Sequence, residues 1–85
     1  MSMTKDLRQY KTKLNRRLEP IKVMLVNRRT ILPTDEWLHF VQKTKASIMV
    51  HPDQYLGEEL PPPELLTRVI EIIFADFLKD QLSYR

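Results

Sequence analysis

Side chains able to do covalent or metal chemistry are scarce in this 85-residue sequence. His39 and His51 are its two histidines, and it has no cysteine. Zinc takes three or four His, Cys or carboxylate donors, and a helical site usually sets two histidines one turn apart. Here the two imidazoles are twelve positions apart instead. Ser, His and Asp all occur, yet no glycine-framed elbow surrounds a serine. One glycine, Gly57, leaves no phosphate-cradling loop. No catalytic, cofactor-binding or metal-ligating residue is nominated, no cofactor is expected, and a non-enzymatic protein is the leading expectation.

What the chain carries in quantity is charge, unevenly spread. The net charge is +3, but residues 1–30 hold nine Lys or Arg against Asp6 and Glu19, a local excess of +7. Residues 31–85 hold five cations against nine acids, a local −4. Such asymmetry points to a face that meets something acidic. The candidates are Lys5, Arg8, Lys11, Lys13, Arg16, Arg17, Lys22, Arg28 and Arg29, which suit an acidic protein or nucleic-acid phosphates. The competing reading is internal: the basic segment packs against the acidic remainder. Asp76 and Asp80, four apart, fit either, as partners of the basic helix or as ion pairs across an interface.

The elements that position these groups follow from apolar spacing. Leu7, Tyr10, Leu14, Leu18, Ile21 and Leu25 form one helical stripe, which predicts a helix near 4–29. Thr4 is a candidate N-cap, and Asp6 suits the first turn. Pro20 costs about 3 kcal/mol in a helix interior, yet the apolar phase continues across it. The segment is therefore one helix kinked at Pro20 or two nearly collinear ones. Pro33 ends it, and Thr34, as cap, with Asp35 and Glu36 opens a second helix to about residue 50. Its apolar face is Trp37, Leu38, Phe40, Val41, Thr44, Ile48 and Met49, opposite His39, Gln42, Lys43 and Ala46. A turn and loop with Gly57 and Pro61-Pro62-Pro63 follow. The third helix, near 63–82, carries Leu65, Leu66, Val69, Ile70, Ile72, Ile73, Phe74, Phe77 and Leu78 over more than half its circumference. So wide an apolar surface needs cover on two sides, from its own chain or from an interface. The fold expected is all-α, a small three-helix bundle with a long basic N-terminal helix, forming a single domain over 1–85.

Two family resemblances attach to particular residues. His51-Pro52-Asp53, between helices, resembles the signature of J-domain cochaperones and would imply stimulation of an Hsp70. The inward positions of that family's preceding helix fall here on Val50, Ser47, Ala46, Lys43 and His39, mostly polar, and the apolar face is rotated away. The tripeptide then reads as a helix stop, with Pro52 blocking extension and Asp53 capping the turn. The first and last helices are also similar to those of the all-helical chorismate mutases, in Lys11, Met24-Leu25, Arg28 and Gln81. That resemblance implies cations and an amide converging on a dicarboxylate. The departures are Lys11 where the family uses Arg, Pro20 within the helix, and Pro33 ending it before the family's essential Lys.

The expected function is that of a small helical interaction protein, a subunit or adaptor. It self-associates or docks on another protein through Ile70, Phe74, Phe77, Leu78, Asp76 and Asp80 of the third helix. Its basic N-terminal helix faces an acidic partner; nucleic-acid binding by that helix is the alternative. No apolar run reaches the roughly 20 residues that span a bilayer, so no membrane role is expected. The charged start lacks the apolar core of a secretory signal, and a cytoplasmic location is expected.

Overall fold

The structure, a computed structural model, describes residues 3–83, with side chains from residue 7 onward. It is all-α, with five helices among the described residues: α1 (Met3–Arg17), α2 (Glu19–Arg29), α3 (Thr34–Val50), α4 (Pro52–Leu56) and α5 (Pro63–Ser83). Three were expected. The two additions have local physical causes.

The first is the division of the N-terminal segment at Leu18. Leu18 adopts φ −87° and ψ 0° and serves as N-cap of α2. Pro20 thereby falls in the first turn of α2, where a missing N–H costs little. Bonds from Leu18 N to Leu14 O (3.0 Å) and from Lys22 N to Leu18 O (2.9 Å) bridge the break. The apolar phase survives: Leu14, Leu18 and Leu25 are fully buried. Each fully buried leucine contributes roughly 1.5–3 kcal/mol, so the three together outweigh the perturbation at Pro20.

The second addition is α4. His51, at φ −129° and ψ 63°, closes α3 and opens α4, with Pro52 as the first helical residue. Pro52 stops α3 as the sequence suggests, but it also starts another turn. The cap position of that turn is His51, with no side-chain cap bond, and Asp53 lies within its first turn, so the capping expected of Asp53 is not made. Leu56, at the end of α4, is fully buried in the core. At the start of α3 the cap position belongs to Pro33 rather than Thr34, with Asp35 and Glu36 in the first turn. α1 already includes Met3, so Thr4 lies within the helix and is not its cap; the side chains of Thr4, Lys5 and Asp6 lie outside the described residues.

The shape is flat, 43 × 28 × 18 Å, about two helices deep. α5 lies against both α1 and α3, which gives its wide apolar surface cover on two sides. Leu66, Val69, Ile70, Ile73, Phe74 and Phe77 are buried there with Trp37, Val41 and Ile48 of α3. Trp37 and Phe77 meet as tilted rings, 6.1 Å between centroids. The indole N–H of Trp37 donates to Leu25 O at 2.7 Å, tying α3 to α2. His39, Gln42, Lys43 and Ala46 are exposed, as the helical phase of α3 requires.

Candidate interaction surfaces

Because the stripe of Leu7, Leu14 and Leu18 turns inward, the cations of α1 are sorted onto two sides. Arg8, Gln9, Thr12, Lys13, Arg16 and Arg17 line the outward side. Positions 8, 12 and 16 form one i, i+4 row, with 9, 13 and 17 in the row beside it. Arg8, Lys13 and Arg16 are exposed. Arg17 bends toward α4, where its guanidinium donates to Leu56 O and covers Gly57. Lys13 Nζ lies 3.5 Å from Glu59 Oε1, both groups well exposed, a pairing worth at most about 1 kcal/mol.

Lys11 and Lys22 belong to the other side, a groove of about 740 Å³ between α1–α2 and the C-terminal half of α5. Val23 and Val26 of α2, 52% and 38% exposed, form its apolar floor with edges of Ile73 and Phe77. Among the described residues its charged lining comprises Lys11, Lys22 and Lys79 against Glu19, Asp76 and Asp80, which balance to zero. Lys11 Nζ sits 2.9 Å from Asp76 Oδ2, and Lys22 donates to Asn15 Oδ1. The internal reading of the charge split is met in part. Lys11 and Lys13 pair with acids of the same chain, while Arg8 and Arg16 point outward.

The remaining two cations serve the fold. The Arg28 guanidinium lies over the Phe40 ring, 5.5 Å from its centroid. Arg29 lies over Trp37 at 5.4 Å and donates to Gln81, at 2.5 Å to its backbone O and 3.0 Å to Oε1. The chorismate-mutase resemblance implied Lys11, Arg28 and Gln81 converging on one dicarboxylate. The structure brings Lys11 and Gln81 to the groove, each already engaged, and turns Arg28 onto Phe40. A lining without net positive charge gives a dianion no field to enter.

The six residues assigned to an interface separate by depth. Ile70, Phe74 and Phe77 belong to the core of the single chain. Leu78 is half-buried against that core, and Asp76 and Asp80 are exposed on the groove rim. Sequence reasoning passed over Val23 and Val26. Their signal was present, since both are apolar residues off the Leu18–Ile21–Leu25 stripe of a helix that is otherwise basic on its outer sides.

Among the described residues no group of three or more His, Asp or Glu gathers as metal donors, and no helix is long and apolar enough to cross a membrane. Comparison with models of protein families, with curated proteins and with solved structures finds no match to this chain.

Proposed function

We propose that this chain is a small non-catalytic interaction protein, a subunit or adaptor of the cytoplasm folded as one domain over residues 1–85. It associates with a second copy of itself through the groove between α1–α2 and α5, and it turns the outer cations of α1 to an acidic partner. In this reading α1–α2, α3 and α5 are the three arms of a bundle, and α4 is a bridge between two of them.

The observation that carries the self-association is the exposure of Val23 and Val26 beside Ile73 and Phe77 under a charge-balanced rim. A two-fold interface sets the same patch against itself, so it must be self-complementary. An apolar floor supplies a non-directional driving force. A rim with three cations and three anions finds opposite charges on its own copy, whereas a partner of one strong sign gains nothing from it. α5 enters through Asp76, Phe77 and Asp80, with Ile70 and Phe74 bracing it from the core.

The acidic-partner reading has separate support. Arg8 and Arg16 are exposed on a surface whose lining, among the described residues, contains no acid.

Size exclusion with light scattering tests the self-association. The expected mass rises from 10.2 kDa toward twice that value as concentration increases into the high micromolar range. A mass fixed at 10.2 kDa throughout contradicts it.

A further inference from the structure

The outer side of α1 is specific enough in composition to name its partner class. Among the described residues its lining, Arg8, Gln9, Thr12, Lys13, Arg16 and Arg17, contains no acid, no aromatic ring and no large apolar side chain. We propose that this side binds the phosphate backbone of a nucleic-acid duplex through Arg8, Lys13 and Arg16. The proposal rests on the reading that these cations face an acidic partner, and it chooses among acidic partners by what else the surface offers.

Protein interfaces draw most of their energy from buried aromatic or aliphatic anchors at the centre of the patch. None lies among these six residues, which removes the main source of affinity for an acidic protein. An amphipathic helix binds an anionic bilayer by inserting its apolar face. The apolar face of α1 is turned to the core, with Leu14 fully buried and Leu7 and Tyr10 packed against it. Single-stranded nucleic acid is held by bases stacked on aromatic side chains, and the surface has none to offer. A duplex backbone needs only cations and polar donors at close intervals, since half or more of protein–DNA hydrogen bonds go to phosphate and sugar.

The dimensions agree. Residues 8 to 16 span about 12 Å of helix axis, and a DNA duplex carries one negative charge per roughly 1.7 Å. Several phosphates therefore lie along a length of duplex equal to that row. Arg8 and Arg16 extend from one row of the helix and Lys13 from the next. Lys13 is already near Glu59, but that carboxylate is 80% exposed and the separation is 3.5 Å, so a phosphate displaces it at small cost. Lys11 is on the groove side beside Asp76 and takes no part.

The test is fluorescence anisotropy of a labelled 24-bp DNA duplex titrated with the full chain at 50 and 200 mM salt, with polyglutamate as the acidic-polypeptide probe. Three phosphate contacts give a slope of log affinity on log salt near −2.7, and hence a loss of about 40-fold between those two salts. The triple variant Arg8→Ala, Lys13→Ala, Arg16→Ala changes exposed residues only, and circular dichroism checks its fold. It is expected to lose at least tenfold in duplex affinity at 50 mM salt, with a salt slope near zero. A folded triple variant that binds the duplex with wild-type affinity and slope overturns the proposal. Binding of polyglutamate that the triple variant loses, with no binding of the duplex, overturns the nucleic-acid assignment and leaves the acidic-partner reading standing. Binding of neither probe by the wild type overturns both.

Discussion

The indole N–H of Trp37 reaches the backbone carbonyl of Leu25 at 2.7 Å, inside the core and across the turn that joins α2 to α3. This bond lets a residue with a polar edge be completely buried, since an unpaired indole N–H would carry a desolvation cost of about 1–3 kcal/mol. The same ring meets Phe77 of α5 on one side and the Arg29 guanidinium on another. One side chain thus joins α2, α3 and α5.

Replacing Trp37 by Ala is expected to destabilise the fold by about 3–5 kcal/mol, as large buried aromatics do when truncated. Trp37→Phe keeps a ring against Phe77 and loses the N–H bond and part of the volume, for about 1–2 kcal/mol. Urea unfolding monitored by far-ultraviolet circular dichroism measures both. Equal losses in the two variants would show that the bond to Leu25 and the ring contacts are not the separate contributions described.

Gly57 adopts φ +88° and ψ −172°, a region open essentially to glycine alone. A Cβ there would also collide with the Arg17 guanidinium, which donates to Leu56 O beside it. Gly57→Ala should therefore lower stability by about 1–3 kcal/mol from backbone strain. Truncating Arg17 as well, as Arg17→Ala with Gly57→Ala, removes the collision and leaves the strain. A double variant no more stable than the sum of its two single variants predicts would show that the collision contributes nothing.

Much of this architecture is legible in the sequence, and the exceptions have definite reasons. α3 ends where its apolar period ends, and its buried and exposed faces fall as the period dictates. The apolar phase through Leu14, Leu18 and Leu25 is readable, but the break at Leu18 is not. It depends on how the backbone accommodates Pro20, and phase alone fits one helix or two. α4 has five residues, too few to show a helical period. The cations of α1 were readable as a set. Their partition follows from placing α5 on the Lys11 side of the stripe and α4 on the Arg17 side, which is tertiary information. The apolar width of α5 is legible, and neighbouring helices cover most of it, Leu82 excepted; the exposure of Val23 and Val26 on α2 depends on which side of α2 is left uncovered, which is again tertiary information.

That burial sets an expectation for Phe77. At 8% exposure, between Trp37 and the groove floor, it cannot accept a charge without loss of the fold. Burying an unpaired carboxylate and deleting the ring together cost more than about 4 kcal/mol, a large share of the stability of so small a domain. Phe77→Asp should therefore show strongly reduced helicity by circular dichroism at room temperature. A fully helical Phe77→Asp chain would mean that Phe77 is not a core residue in solution.

If the α1–α2/α5 groove is the contact between two copies, a charge placed at Val26 must break it. Val26 is 38% exposed on the groove floor, so Val26→Asp introduces a charge at the contact that keeps access to water in the single chain. Ile31, 71% exposed and outside the groove, supplies the control as Ile31→Asp. The deciding measurement is the light-scattering mass of both variants at a concentration where the wild type is dimeric. The prediction is that Val26→Asp elutes at the 10.2 kDa monomer mass with helicity intact, while Ile31→Asp keeps the dimer mass. A folded Val26→Asp chain that retains the dimer mass would rule out the groove as the contact.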